Sequence, residues 1–132
     1  MDATGGSATR ITADAPICNA GTEPEWQDGI WWGRPAWSPD GSKIAFARTF
    51  NGPCRAEDTR ADLFVINQDG TGETQLTTGP DWGILPSWSP DGSRIVYDGG
   101  TWSIHVINAD GTGDVAIIPP NDSAISDPDW GP

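Results

Sequence analysis

The chain has 132 residues, with 7 Lys and Arg against 19 Asp and Glu and a net charge of −12. Such an acidic surface repels phosphate backbones and anionic headgroups, which argues against nucleic acid and membrane surfaces as partners. Seventeen glycines and twelve prolines cut the chain into short segments, suited to many turns and few helices, and no run of about 18 apolar residues is present to span a membrane.

In chain order, residues 1–34 read as an outer strand at 8–12 followed by a long loop that carries Glu25, Trp26, Trp31, Trp32 and Arg34. Residues 1–6 lack the basic start and apolar run of a signal peptide. A first full repeat is expected over residues 35–77 and opens Pro35-Ala36-Trp37-Ser38-Pro39-Asp40-Gly41-Ser42-Lys43-Ile44-Ala45-Phe46. The pattern returns as Pro86-Ser87-Trp88-Ser89-Pro90-Asp91-Gly92-Ser93-Arg94-Ile95-Val96-Tyr97, at the head of a second repeat over residues 86–118. Residues 119–132 hold a third start, Asp127-Pro128-Asp129-Trp130. Trp37 and Trp88 stand 51 positions apart and Trp88 and Trp130 stand 42 apart, because the first copy is longer over residues 48–61.

Each repeat is predicted to fold as four short antiparallel strands. Pro-x-Trp-Ser forms the first, and Ser-Pro-Asp-Gly a tight turn in which proline presets the backbone and glycine takes the positive φ. The second strand (43–47 or 94–97) is rich in β-branched and aromatic residues. In the third, Leu63, Val65 and Ile66 match Ile104, Val106 and Ile107. Asp69-Gly70-Thr71-Gly72 and Asp110-Gly111-Thr112-Gly113 then turn into an outer strand at 74–77 or 115–118. Arg10-Ile11-Thr12 mirrors Gln75-Leu76-Thr77, which is why residues 8–12 read as an outer strand. Trp37, Trp88 and Trp130 share the inner-strand position and are expected to pack between neighbouring sheets.

These residues resemble TolB-like propeller repeats, relatives of the WD-repeat propellers, over roughly residues 35–132. The resemblance implies an all-β fold of β-propeller blades, about two complete four-stranded blades plus flanking partial strands in one partial domain. It also implies a scaffold that binds other proteins and works in the periplasm or outside the cell. Propeller rings need about four blades or more to close, so two blades leave apolar flanks. Either the chain is part of a longer propeller, or copies assemble head to tail as a homo-oligomeric ring or filament.

In a four-stranded blade the first and third turns share one face, and here they are short and uniform. The long insertions all fall on the opposite face, where function usually sits. Candidate binding residues there are Trp26, Trp31, Trp32, Trp82 and Trp102, with Glu25, Arg34, Arg55 and Asp81 as polar neighbours. Loop aromatics of this kind stack on sugars, on peptide side chains or on another subunit, or else plug their own loops. Cys18 and Cys54 fall in loops of that same face, where a disulfide is expected; closing a 37-residue span contributes on the order of 3–4 kcal/mol and implies an oxidising compartment.

Catalysis is not expected. No nucleophile elbow, phosphate loop or zinc-protease motif occurs, and His105, the one histidine, stands mid-strand where the other copy has Phe64. Paired acids near tryptophans leave glycoside chemistry, or the propeller of a prolyl-oligopeptidase-like hydrolase, as alternatives. No cofactor is expected. Calcium at the Asp69/Glu73 and Asp110/Asp114 turns is the alternative to plain turn geometry, since a third early acid, a twelfth-position glutamate and flanking helices are missing.

Overall fold

The computed structural model describes residues 9, 11–12, 34–50, 60–78, 83–99, 103–118 and 128–130. They form β1 (Ala36–Trp37), β2 (Lys43–Phe50), β3 (Arg60–Asn67), β4 (Thr74–Gln75), β5 (Gly83–Trp88), β6 (Arg94–Gly99), β7 (Ile104–Asn108) and β8 (Val115–Ile118), with no helix among the described residues. Two separate antiparallel sheets result, in the orders β1-β2-β3-β4 and β5-β6-β7-β8. The all-β reading of four-stranded blades is thereby met.

Equal sequence gives equal register. Lys43 pairs with Asn67 and Ile44 with Ile66, as Arg94 pairs with Asn108 and Ile95 with Ile107. The hairpins run further than the turn signals indicated. β2 and β3 extend to Phe50 and from Arg60, and β5 starts at Gly83, because Gly83 and Ile84 pair with Gly99 and Asp98 where a loop was expected.

The Ser-Pro-Asp-Gly turns close through their own side chains. The Ser38 hydroxyl donates to Asp40 Oδ1 at 2.6 Å and accepts from the Lys43 amide at 2.9 Å. Asp40 Oδ1 also accepts from the Ser42 amide at 3.0 Å. Ser89, Asp91, Ser93 and Arg94 repeat this arrangement at 2.6, 2.9 and 3.0 Å. Gly41 and Gly92 stand at φ 71° and 70°, the conformation that only glycine takes without strain. In the third turn Asp69 Oδ1 accepts from the Thr71 amide and hydroxyl at 2.9 and 2.7 Å, and Asp110 serves Thr112 at the same distances. The two turns of a sheet are tied together by Gln68 N–H to Ser42 O and by Ala109 N–H to Ser93 O, so they share one face.

The core lies between the sheets. Ala45, Leu63, Val65 and Leu76 of the first meet Trp88, Ile95, Tyr97 and Ile107 of the second, with Ala36 and Ala109 packed on them. The strand period of two explains the selection: Ala45 pairs with Val65 on one face, while Ile44 with Ile66 and Phe46 with Phe64 point the other way. Trp88 is buried and its indole Nε1 donates to Ala36 O at 3.0 Å. Trp130 repeats the bond one step on, to Ser87 O at 3.1 Å. Trp37 departs from the expectation of inter-sheet packing. It is 56 % exposed, since among the described residues no inner strand precedes it. Ile117 is likewise 55 % exposed, whereas its counterpart Leu76 is buried, with the next sheet's Gly111 beside it.

Trp88→Phe removes an N–H from a carbonyl inside the core and should lower stability by about 1–3 kcal/mol, read from the urea midpoint. Trp37→Phe, at an exposed indole, should stay within about 0.5 kcal/mol. The Ser38 hydroxyl, then the Ser42 amide and hydroxyl, hold Asp40 at about 2 instead of 3.8, and Ser89 and Ser93 do the same for Asp91. These folded-state values lie below the unfolded one, so the turns add stability that is fully present above about pH 4 and lost as pH falls through about 2. Thermal midpoints should fall across that window, and a Ser38→Ala, Ser89→Ala double variant should flatten the fall.

Candidate functional site

The inner strands β1 and β5 and the segment 128–130 bring their Pro-x-Trp sequences side by side and leave a groove of about 350 Å³ between them. Each strand contributes corresponding positions. Arg34 and Pro35 come from the first, Leu85, Pro86 and Ser87 from the second, and Pro128 and Asp129 from the third. Trp88 and Trp130 turn away into the neighbouring interfaces, as their indole bonds show, so the residues just before them face the groove.

Polar groups mark the two ends of this lining. Asp129 Oδ1 accepts from the Ser87 hydroxyl at 2.8 Å and from the Trp130 amide at 2.8 Å, which fixes its carboxylate. The Arg94 guanidinium lies 5.0 Å from the centre of the Trp130 ring, a cation–π contact that helps seat this third strand. Arg34, at the first strand, supplies the cationic side of the groove.

The middle of the groove is strained. An extra residue enters β5 between Ile84 and Ser87, and Leu85 adopts φ 59°. A leucine in the left-handed region costs about 1–3 kcal/mol and persists only where its surroundings fix it. Pro86, locked in φ, follows directly and is buried. The bulge re-aims the segment between Ile84 and Ser87, and it is this segment that lines the groove.

A second polar cluster sits on the face of the second sheet that packs toward the first. Tyr97 donates to Asp114 Oδ1 at 2.8 Å, and His105 Nδ1 lies 3.2 Å from the same oxygen. The tyrosine and histidine rings are 5.4 Å apart. In the first sheet the same positions hold Phe46, Phe64 and Glu73. There Arg48 binds Glu73 through two hydrogen bonds of 2.7 and 2.6 Å and lies 4.6 Å from the Phe64 ring centre. Gly99 replaces Arg48, and a Cβ there would collide with the imidazole. The glycine thus makes room for His105, and the four differences act as one exchange. His105 is two strands removed from the inner strand β5, so the chain's one histidine does not face the groove.

Of the residues singled out for binding, Arg34 is described and lines the groove. Glu25, Trp26, Trp31, Trp32, Arg55, Asp81, Trp82 and Trp102 lie outside the described residues, as do Cys18 and Cys54. At the turns considered for calcium, Asp69 and Asp110 accept from threonine, Glu73 pairs with Arg48, and Asp114 serves Tyr97 and His105. Among the described residues no three His, Cys, Asp or Glu side chains group so as to hold a metal ion. Leu85, Pro86, Ser87, Pro128 and Asp129 were not expected at a site. Their signal was the repetition of Pro-x-Trp itself, which puts equivalent residues around one axis.

Comparison with known proteins agrees with this architecture. No family model matches the chain. A solved TolB-type structure from Agrobacterium tumefaciens superposes with a TM-score of 0.53 at 28 % identity, over 72 % of this chain and 31 % of that one. The TolB of Acinetobacter baumannii gives a TM-score of 0.48 at 23 % identity, over 63 % and 20 %. Among curated proteins, the dipeptidyl-peptidase 5 of Porphyromonas gingivalis is 39 % identical over 62 residues, 47 % of this chain and 9 % of the peptidase. That of Porphyromonas endodontalis is 32 % identical over 60 residues, 8 % of its length. The chain therefore spans less than a tenth of these peptidases and about a third of the Agrobacterium protein. With the two sheets, their repeated register and the inter-sheet indole bonds, the Agrobacterium superposition identifies the chain as TolB-like β-propeller blades.

Proposed function

We propose that the chain is a non-catalytic protein-interaction module on this TolB-like scaffold. The observation that carries the reading is the groove, where three Pro-x-Trp segments present prolines, Leu85, an arginine and a fixed carboxylate. A proline-lined channel with one cationic and one anionic side suits an extended segment of a partner protein. The chemistry of the lining supports binding, because its hydroxyl and its carboxylate, Ser87 and Asp129, are engaged with each other, and His105 is engaged elsewhere with Asp114. The tryptophan-bearing loops, with Trp26, Trp31, Trp32, Trp82 and Trp102, are the second contact region of this proposal.

The match to dipeptidyl-peptidase 5 favours a second reading, in which the blades form part of the propeller of a larger peptidase-like hydrolase. A parent chain carrying a nucleophile elbow beyond these residues would favour that reading over the first. Either protein would work in an oxidising compartment, periplasmic or extracellular, where a Cys18–Cys54 bridge forms. No described segment is a helix long and apolar enough to cross a membrane.

The test is selection of displayed random peptides on the chain. A selected peptide should bind at least roughly tenfold more weakly to Arg34→Ala and to the Trp31→Ala, Trp32→Ala double variant, with the far-ultraviolet β signal unchanged. Peptides indifferent to all three changes would remove the site. Thiol titration of the unfolded, unreduced protein checks the compartment: no reactive thiol is expected, and two per chain would overturn the bridge.

A further inference from the structure

The chain carries Asp-Gly pairs at Asp28, Asp40, Asp69, Asp91, Asp98 and Asp110. Such a pair is a chemically weak point of a backbone, because glycine leaves its own amide unshielded. The glycine nitrogen attacks Cγ of the aspartate carboxyl and a C–N bond forms. The carboxyl hydroxyl leaves with the amide proton as water. Water then reopens the cyclic imide at either carbonyl. One opening restores aspartate, and the other leaves isoaspartate, whose backbone runs through the side chain and is one atom longer. The water lost in the first step is returned in the second, so no other reagent is needed.

Ring closure requires a glycine N–H free to give up its proton and a carboxyl that still holds a hydroxyl to lose. The repeat turns withhold both. Gly41, Gly70 and Gly111 donate their amides to the backbone oxygens of Ser38, Asn67 and Asn108 at 2.9 Å, and Gly92 donates to Ser89 O at 2.8 Å. Gly99, at the end of β6, likewise donates to Ser103 O at 2.9 Å, whereas Asp28 lies outside the described residues. The carboxylates are occupied as well. The Ser42 hydroxyl reaches both oxygens of Asp40 at 2.9 and 2.8 Å, beside the Ser38 hydroxyl and the Ser42 amide. Asp91 accepts from Ser89 and from the amide and hydroxyl of Ser93 at 2.6, 3.0 and 2.8 Å. Asp69 and Asp110 hold Thr71 and Thr112 in the same way. Donors of this kind favour the ionised carboxylate, which has no hydroxyl to lose. The fold also resists the product. Ser38 N–H to Lys43 O and Ser89 N–H to Arg94 O, both 2.9 Å, span the first turns, and a backbone one atom longer must distort them.

We propose that each of these four turns guards its own Asp-Gly bond against isomerisation, through the hydroxyl and amide donors that fix the carboxylate and the carbonyl that holds the glycine N–H. Isoaspartate then forms at a turn only when that turn opens, and a turn so modified no longer recloses with the same bonds. This protection involves the turns alone and is independent of the groove.

The duplicated sequence supplies the test. Residues 38–42 and 89–93 both read Ser-Pro-Asp-Gly-Ser, so their unfolded chemistry is equal and each molecule carries its own control. The full chain is aged at neutral pH with and without urea, and isoaspartate is located turn by turn by electron-transfer fragmentation of its peptides. In urea all four turns should accumulate it. In the folded chain each should do so at least roughly tenfold more slowly, a factor set by the free energy of local opening. Ser38→Ala should speed the reaction severalfold at Asp40 and leave Asp91 at the wild-type rate, and Ser89→Ala should do the reverse. Equal rates with and without urea would overturn the proposal. So would a serine variant in which Asp40 and Asp91 change together, or in which neither changes.

Discussion

The indole-to-carbonyl bond between adjacent inner strands is the constraint on which the rest of the structure depends. A tryptophan buried at a sheet–sheet interface hides a large apolar surface, but its N–H must find an acceptor. Here the acceptor is a backbone carbonyl of the preceding inner strand, which makes the bond independent of that residue's side chain. Ala36 and Ser87 serve equally well. The bond therefore sets the spacing of the inner strands while leaving the position before tryptophan free to vary. That position lines the groove, as Ser87 and Asp129 do. The scaffold is held by the backbone, and the lining can differ from blade to blade.

The flanks show the opposite behaviour, in which side chains change together. Arg48 with Glu73 over Phe46 and Phe64 in the first sheet becomes Gly99, Asp114, Tyr97 and His105 in the second. An arginine at the Gly99 position would collide with the imidazole, and a phenylalanine at the His105 position would leave Asp114 with Tyr97 alone. Both sets cover the same patch of sheet and both satisfy a carboxylate with a donor from the second or third strand. The requirement that a carboxylate near an interface keep a partner is met twice by different chemistry.

What could be read from the sequence follows the range of the interactions. The turns were legible, because their bonds join residues at most five positions apart and use the serine, aspartate, threonine and glycine of the motif. The register was legible for the same reason, since both hairpins start from identical turns. Burial of Trp88 could be anticipated from repetition, but the exposure of Trp37 depends on which blades stand beside it, and no local pattern encodes that. The groove was illegible because its walls come from three strands about forty to fifty residues apart. Arg34 was singled out for its loop and lies at the groove because it precedes Pro35. Nothing around Leu85 announced a left-handed residue. The proline after it disfavours the helical region and leaves the bulge to decide. The His105–Asp114–Tyr97 cluster was within reach: placing the two copies in register shows Phe64 against His105 and Arg48 against Gly99, on one face by the strand period.

Charge separates the two faces of the molecule further. Asp40, Asp69, Asp91 and Asp110 sit in the uniform turns, and in each the carboxylate is held below its ordinary value by hydroxyl and amide donors of the turn. Folding thus extends their ionisation to lower pH, and the turn face stays anionic into acid. Four of the chain's 19 acids are fixed there by turn geometry alone. That anionic face disfavours acidic partners. The groove differs, because Arg34 and Asp129 line it from different segments and give it both signs of charge beside Pro35, Pro86, Pro128 and Leu85. The groove combines opposite charges, prolines and a strained leucine, whereas the turn face offers charge of one sign. The proposed site therefore lies on the inner strands, and the turns hold those strands in place.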